Sequence, residues 1–461
     1  MRRSPYLQNF DRIMFQLCRT KDKTAKKKNM IRSALTFAIG IVTCIHAYGQ
    51  ETARRTLEDY IRTAKENSPL ITDFRNRSEI QQAELQRLKA MYTHSRLEAD
   101  GEWLFVPIIE NGQGQATFRW NAQDAADYTG YDLGESSGHL HAGITWYQPI
   151  LGISRYKTAR EQANLDMEAA ENSIRLEEHQ IERTVTEQYL LCLLDKIQTT
   201  FSDTTAALLD REEKTVAGLV QNGMARQSDL MLIRIEQQKN AESRTASRQS
   251  YRTHIIELNL MCGIDDTGDT MLENIDLQTL TGPSYGRSLF TEQFRLDSLK
   301  AAADLRTFKM QYRPSLDLFV SGGLQTGSFA GWYRHFGMSA GLSLSWTIFD
   351  GRQKRWKEKQ LQLQLNTIRT YEDNAEYRRR MRLDQCLSEL AACDERSAAM
   401  EEQLSGYGDL LENYGKEMAA GQVSVLDYIT VLKNKIQTER DYMLLQTNRQ
   451  LTIAAYNYWN R

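Results

Sequence analysis

The segment Phe336-Gly337-Met338-Ser339-Ala340-Gly341-Leu342-Ser343-Leu344-Ser345-Trp346 alternates without a break between two kinds of side chain. Every even position is apolar, and every odd position is Gly or Ser. Because successive side chains of a strand lie on opposite faces, the pattern predicts a strand with one apolar face and one small, polar face. About ten alternating residues is also the length that a tilted strand needs to cross a bilayer.

Two other segments show related alternation. In residues 139–147, Leu, Ala, Ile and Trp alternate with His, Gly, Thr and Tyr. In the third segment, Leu316, Leu318 and Val320 alternate with Ser315, Asp317 and Ser321. Alternation alone also fits a soluble sandwich with one wet face, but the predicted helices between the strands are too long for one. Four strands cannot close a barrel, so we expect an oligomer that removes the sheet edges. Aromatic side chains near the strand ends would form a membrane girdle: Trp103, Trp146, Trp332, Tyr333 and Trp346.

Proline placement predicts the helices. None of the six prolines lies in residues 150–282 or 315–461, and such runs favour long helices. From Ser154 to about residue 220, apolar or small residues recur every three or four positions, which predicts one helix about 100 Å long. Asn222-Gly223 then predicts a turn into a return helix that ends near Met261.

The same plan occurs twice, at a constant offset of 198 residues. The matched positions are Ala142-Gly143 with Ala340-Gly341, Ile150 with Ile348, Gly223 with Gly421, and Asp229 with Asp427. This repetition predicts two tandem units, each with a helix, two strands, a long helix, a turn and a return helix. The predicted bounds are a leader at 1–49, a first repeat at 50–262 (strands about 95–149, long helix about 154–220, turn 221–229), a linker at 263–287, and a second repeat at 288–461 (strands about 315–348, long helix about 352–418, turn 419–428, return helix to 459).

The first 49 residues read as a basic leader and a signal peptide. A short apolar run at 34–42 is too short to span a bilayer, and Ala47-Tyr48-Gly49 predicts cleavage before Gln50, with Met30 as a possible initiator. Lipidation at Cys44 and an uncleaved anchor are the alternatives. The leader holds ten Lys or Arg and two Asp or Glu, so the mature chain has 48 basic and 58 acidic residues and a net charge of −10. That balance, like the −2 of the whole chain, predicts no nucleic-acid partner. A mean hydropathy of −0.57 excludes a polytopic helical membrane protein.

No pattern of residues predicts catalysis or a cofactor. Nucleophile-elbow, zinc-protease, phosphate-loop and dinucleotide motifs are absent from the sequence. A calcium loop starting at Asp265 fails, because its sixth and twelfth positions are Thr270 and Asp276. His139 and His141 share a strand face and could bind a metal, but a water-facing wall lined by Gly and Ser favours solvated side chains over a metal site. The four mature cysteines, Cys192, Cys262, Cys386 and Cys393, favour buried thiols over a disulfide or metal role.

Taken together, three local signals resemble the TolC-like outer-membrane efflux proteins over residues 53–461. These are the opening helix Thr56-Leu57-Glu58-Asp59-Tyr60 with Asn67-Ser68-Pro69, the corners Gln148-Pro149-Ile150-Leu151-Gly152 and Ile348-Phe349-Asp350-Gly351, and the turns 223–229 and 421–427. The resemblance implies an α+β membrane protein: a homotrimer with a 12-stranded outer-membrane barrel that continues into a periplasmic α-helical barrel.

The resemblance also implies a function. It would be a passive outer-membrane channel-tunnel of a tripartite efflux or type I secretion system, and not an enzyme. Its partners would be a periplasmic adaptor, an inner-membrane pump of the RND, ABC or MFS type, and outer-membrane lipid. The alternative from another class is a structural or adaptor coiled coil of the envelope with no pore.

Site residues follow from the resemblance position by position. Asp427 resembles a member of an acidic constriction at the periplasmic entrance, and helix capping is the equal alternative; for Asp229 capping is favoured. Met418 and Val423 replace a gating Tyr and Arg, so their apolar packing is expected instead. The remaining predicted tip positions are Gly223, Ser228, Gly421 and Thr430, where Thr430 replaces a second acid. The predicted strand-to-helix corner positions are Pro149, Gly152, Phe349, Asp350 and Gly351.

Overall fold

The computed structural model describes residues 55–105, 107–112, 115–119, 128–129, 138–267, 270–280, 282–283, 288–327 and 331–461. The leader, the signal-peptide prediction and Cys44 lie outside the described residues. The chain divides into two units. In the smaller unit, Arg55 and Leu272 form an isolated parallel bridge. The larger unit comprises Leu57–Thr267 and Asn274–Arg461.

The elements of the larger unit follow the duplicated plan. The first half contains α1 (Leu57–Asn67), α2 (Pro69–Thr93), β1 (Arg96–Phe105), β2 (Ile108–Gly112), β3 (Gln115–Arg119), β4 (Tyr128–Thr129), β5 (Gly138–Pro149), α3 (Gly152–Gln221) and α4 (Gln227–Cys262). The second half contains α5 (Leu289–Met310), β6 (Ser315–Thr326), a 3-10 turn (Trp332–Arg334), β7 (Phe336–Ser345), α6 (Gln353–Ala419) and α7 (Val425–Trp459).

The main sheet has four antiparallel strands in the order β1-β5-β6-β7. Each strand is joined to a helix: α2 leads into β1, α3 follows β5, α5 leads into β6, and α6 follows β7. The helices pack in the same order as their strands, α2 on α3, α3 on α5, and α5 on α6. Each strand therefore continues into its own helix, and the sheet and the helical layer form one wall.

The two long helices extend beyond α2 and α5 and pair with the return helices. α3 has 70 residues, which is about 105 Å at 1.5 Å per residue, and α6 has 67 residues. α4 packs along α3, α7 packs along α6, and α3 also contacts α7. No helix in the described part of the chain is long and apolar enough to span a membrane.

The first repeat differs from the prediction of two strands. Three short strands, β2, β3 and β4, form a second sheet in the order β3-β2-β4. They occupy the connection between β1 and β5, which is much longer than the connection between β6 and β7. Ile108 at the start of β2 is 1% exposed, so this insertion buries its own apolar side chain. The prediction of two strands did not resolve these elements, because they are too short for a clear period.

Candidate channel wall, corners and tip

The main sheet has two chemically different faces. Cross-strand partners include Leu97 with Trp146, Ile144 with Gly322, and Leu318 with Leu342. The even-numbered residues of β5, β6 and β7 and the odd-numbered residues of β1 therefore lie on one surface, the apolar face. Large side chains there are open to the surroundings: Leu97 at 69%, Met338 at 78%, Leu342 at 63% and Leu344 at 68%. A single protomer therefore exposes a broad apolar sheet, and such a surface marks an interaction with lipid or protein.

The opposite surface, the polar face, is made by the odd-numbered residues of β5, β6 and β7 and the even-numbered residues of β1. On β7 these are only Gly and Ser, while β1 supplies Arg96, Glu98, Asp100 and Glu102. His141 Nε2 lies 2.9 Å from Asp100 Oδ2, and Thr145 Oγ1 lies 3.2 Å from Ser321 Oγ. Among the described residues, no three His, Cys, Asp or Glu side chains gather as a metal site. The geometry thus places His141 within hydrogen-bond distance of Asp100, across β1 and β5.

On the polar face, glycines allow β5 and β6 to approach closely and allow an aromatic ring of β6 to pack on β7. A Cβ at Gly323 would stand 2.4 Å from the Cα of Gly143 on β5. A Cβ at Gly341 would stand 2.9 Å from the ring of Phe319, which covers it. Small residues on this face are therefore required by packing as well as by polarity.

The first corner joins β5 to α3. Pro149 ends β5, and the backbone N–H of Ile150 still donates to the carbonyl of Leu316 at 2.9 Å. Gly152 begins α3 and is buried; a Cβ there would lie 1.7 Å from the carbonyl oxygen of Tyr92 at the end of α2. Only glycine fits at this point, because the start of α3 lies directly on the backbone of α2.

The second corner joins β7 to α6 by a different device. Gly351 and Arg352 both have left-handed backbones, with φ of 67° and 70°. Asp350 accepts hydrogen bonds from the backbone N–H groups of Arg352 at 2.8 Å and Lys354 at 3.0 Å, and from the Tyr312 hydroxyl. The Tyr312 bond lowers the pKa of the Asp350 carboxyl, and the carboxylate raises the pKa of Tyr312 to about 12. Asp350 thus caps α6 and ties it to the segment before β6.

Phe349 stands at the outside of the second corner and is 81% exposed. Ile348 beside it is 82% exposed. Because both lie just past the apolar face, the second corner carries apolar surface to the start of α6.

Both predicted turns have the same backbone. Gly223 and Gly421 have φ of 73° and 71°. The N–H of the following residue closes each turn on the preceding helix, Met224 on the Leu219 carbonyl and Gln422 on the Glu417 carbonyl, both at 2.8 Å. A glycine in this conformation ends a helix and satisfies its last carbonyls, so the two turns terminate α3 and α6 alike.

The carboxylates after the turns make capping contacts. Asp229 accepts from the backbone N–H of Arg226 at 3.0 Å, with the Ser228 hydroxyl beside it at 3.5 Å. In the second repeat the Ser424 hydroxyl donates to Asp427 at 2.6 Å, while the N–H of Asp427 donates to Ser424 Oγ at 3.2 Å. Ser424 is therefore the N-cap of α7, and the exposed Asp427 carboxylate bonds to the hydroxyl of that cap.

The other two tip positions of the second repeat differ in exposure. Thr430 is exposed, and its hydroxyl donates to the Leu426 carbonyl one turn earlier at 2.8 Å. Val423 is half-buried within the turn itself. Neither residue supplies a charge to the tip.

Met418 lies near the tip, at the end of α6. It is 5% exposed and belongs to an apolar cluster shared by α3, α4, α6 and α7, here called the tip core: Leu209, Val216, Leu230, Ile233, Met418, Val425, Tyr428, Ile429 and Leu432. Val423 is outside this set. Within the subunit, Met418 therefore joins the two helical hairpins, and a role of Met418 and Val423 at the entrance stays a prediction.

The tip core also surrounds a polar pair. Tyr428 is 8% exposed and Glu212 is 9% exposed. Burial, with neighbouring Glu212, raises the pKa of the Tyr428 phenol above its usual range. The phenol consequently stays neutral and holds α7 against α3.

A partly buried polar cluster near the end of α7, here called the Glu182 cluster, was missed by sequence reasoning. Glu182 on α3 lies 2.7 Å from Lys65 Nζ and 2.5 Å from Arg461, with His179 Nδ1 at 3.8 Å. His179 stacks on the ring of Tyr458 at 4.5 Å. Beside His179, Lys65 and Arg461 the pKa of Glu182 falls to about 2. One Glu and one His on a long charged helix give no sequence signal, because their partners come from α1 and the end of α7.

Among the comparisons with known proteins, only the solved structures match this chain. No family model matches the chain, and no curated protein matches its sequence. Solved structures match over most of their length. The outer membrane protein VceC of Vibrio cholerae has 12% identity and a TM-score of 0.68, with 88% of this chain and 96% of that chain covered. CusC, described for folding and transmembrane channel formation, has 13% identity and a TM-score of 0.66, with 87% and 90% covered. The MtrE outer membrane channel of Neisseria gonorrhoeae, in its open state, has 13% identity and a TM-score of 0.64, with 87% and 88% covered.

These likenesses confirm the fold that the motifs resembled. The chain has the fold of the TolC-like outer-membrane channel proteins.

Proposed function

From this fold we propose that the protein is a passive outer-membrane efflux channel. Three copies would each contribute the four strands of the main sheet to a 12-stranded barrel, and their long helices to a tunnel through the periplasm. The observation that carries the proposal is the sheet with one apolar and one small, polar face, each strand of which continues into its own helix.

The open edges of the sheet support the trimer. β1 and β7 are the edge strands, and the unpaired N–H and C=O groups of an edge are costly within lipid. Pairing β7 of one copy with β1 of the next removes both edges at once. In that arrangement the apolar face would contact lipid, while the Gly and Ser side chains of β7 would line water.

The structure of the tip is consistent with a channel that binds partner proteins. Both turns end long helices with the same backbone, and the exposed side chains beside them are available to other proteins. We infer that an adaptor protein docks there and connects the tunnel with an inner-membrane pump, which supplies the energy. Three exposed Asp427 carboxylates around the axis would favour cations at the entrance.

An adjacent pair of cysteine variants tests the membrane placement. Leu342→Cys lies on the apolar face and Ser343→Cys on the polar face, both in β7 and both exposed in the protomer. In outer membranes, with Cys393→Ser removing the half-buried native thiol, a membrane-impermeant maleimide should label Ser343→Cys and spare Leu342→Cys. Equal labelling of the two, as a water-exposed sheet with no barrel would give, contradicts the proposal.

A further inference from the structure

A pocket of about 480 Å³ lies at the first strand-to-helix corner. Ile150, Leu151 and Ile153 form its apolar side, and Arg155, Lys157 and Arg313 form its basic side. We call it the corner pocket. Its combination of apolar and cationic surface differs from the mixed charge of the helices beyond it.

The apolar side of the corner pocket continues the apolar face. The N–H of Ile150 bonds to the Leu316 carbonyl at 2.9 Å, so the ladder between β5 and β6 runs one residue past Pro149. Ile150 thereby keeps the even register of Ile144 and Trp146. It is 45% exposed, and Ile153 is 62% exposed, so the apolar surface reaches from the sheet to the first turn of α3.

The basic side has cations without counter-ions. Arg155 donates to the backbone carbonyl of Arg313 at 2.9 Å, and Arg313 donates to the Ser154 hydroxyl at 2.7 Å. In the described part of the chain, neither arginine nor Lys157 has a carboxylate within 4.0 Å. Three positive charges therefore converge on one pocket and favour an anionic ligand.

Two basic residues further along α5 are neutralised within the protein. Lys300 pairs with Asp166 at 2.8 Å, and Arg306 pairs with Glu161 at 2.7 Å. The three cations of the corner pocket, by contrast, stay unpaired among the described residues, at the level where the apolar face ends. The second corner repeats the order, since exposed Ile348 and Phe349 are followed by Arg352, Lys354 and Arg355.

We propose that the corner pocket binds the phosphate headgroup of an anionic phospholipid, drawn from the membrane leaflet on the helix side, with its acyl chains along the apolar face. This rests on insertion of the sheet in a membrane, which belongs to the proposed function. Arginine forks match phosphate oxygens, and basic residues beside a membrane surface attract anionic lipid. The lipid would fix the depth of the wall where the strands become helices.

Native mass spectrometry of the purified full chain, titrated in neutral detergent, tests the site. The probes are phosphatidylglycerol and the zwitterionic phosphatidylcholine. The wild type should bind phosphatidylglycerol more tightly. The variant Arg155→Gln/Lys157→Gln/Arg313→Gln should bind it about 100-fold more weakly, since each basic residue contributes about five-fold at an anionic surface.

The matched control is Arg175→Gln/Arg248→Gln/Arg252→Gln, which removes the same charge from exposed positions on α3 and α4 and should leave binding unchanged. Arg155→Lys/Arg313→Lys keeps the charge but loses the guanidinium bonds at the corner. It should retain the preference for phosphatidylglycerol, which separates lipid binding from corner stability.

Equal binding of the two lipids by the wild type overturns the inference, as does an equal loss in the corner and control variants. Ion conductance, measured separately, tests the proposed channel function. A conducting protein with no preference for phosphatidylglycerol refutes the lipid site alone, whereas selective lipid binding without conductance refutes the channel alone.

Discussion

Replacing Gly152 with alanine would put a methyl group into the first strand-to-helix corner. The added Cβ would stand 1.7 Å from the Tyr92 carbonyl oxygen and 2.8 Å from its carbon, whereas ordinary contact begins at 3.4 Å. The start of α3 and the end of α2 must then separate by about 1.7 Å, the difference between the oxygen distance and ordinary contact. Both obstacles are backbone atoms, which cannot rotate away. Overpacking typically costs about 1–3 kcal/mol, and we expect a loss at the upper end, about 3 kcal/mol.

Gly218→Ala is the matched control, because it makes the same substitution in the same helix. Nothing lies within 4 Å of a Cβ at Gly218, so alanine there should stabilise the helix by about 0.5–1 kcal/mol. Thermal unfolding of both purified variants, followed by far-ultraviolet circular dichroism in one detergent, gives the comparison. A Gly152→Ala protein as stable as the wild type would refute the close approach of α3 to α2.

Three further predictions concern the tip core, the Glu182 cluster and Asp427. Met418→Ala should destabilise the fold by about 2–4 kcal/mol, since it opens a cavity in the tip core, while Met224→Ala, at a side chain 52% exposed, should cost less than about 0.5 kcal/mol; equal losses in thermal unfolding would argue against the tip core. The pKa of Glu182 is lowered from 4.5 to about 2, so its stabilisation is complete above pH 4.5 and is lost as pH falls toward 2. Glu182→Gln should therefore lower stability at pH 7 by about 1–2 kcal/mol, allowing for solvent screening of a partly exposed group, and much less at pH 2; a penalty that stays constant between the two pH values would contradict this linkage. Asp427→Asn should reduce cation selectivity in planar bilayers, and an unchanged reversal potential would exclude an acidic ring at the entrance.

Local patterns explain why most of the elements were predictable. β7 was expected from alternation at 336–346 and is found at Phe336–Ser345. The long helix expected at about 154–220 spans Gly152–Gln221, since a proline-free 3.6-residue period ends only where Gly223 adopts its left-handed backbone. Such features depend on residues near each other in the chain, so one sequence is enough to locate them.

Contacts between distant elements could not be predicted from the sequence. Met418 lies in the last turn of α6, and its position in the chain does not reveal that α3, α4 and α7 converge around it. Glu182 is held by Lys65 and Arg461, which are far apart in the sequence. The need for glycine at residue 152 likewise arises from Tyr92, a neighbour from α2, although the sequence did mark the position as a corner.

As a channel, this protein would form a water-filled path through a membrane. Planar-bilayer recording of the purified protein tests it most directly, with the oligomer's mass determined on the same sample. We expect trimers to insert stepwise, each producing a stable ionic conductance. Folded protein that enters the bilayer and conducts no ions would contradict it.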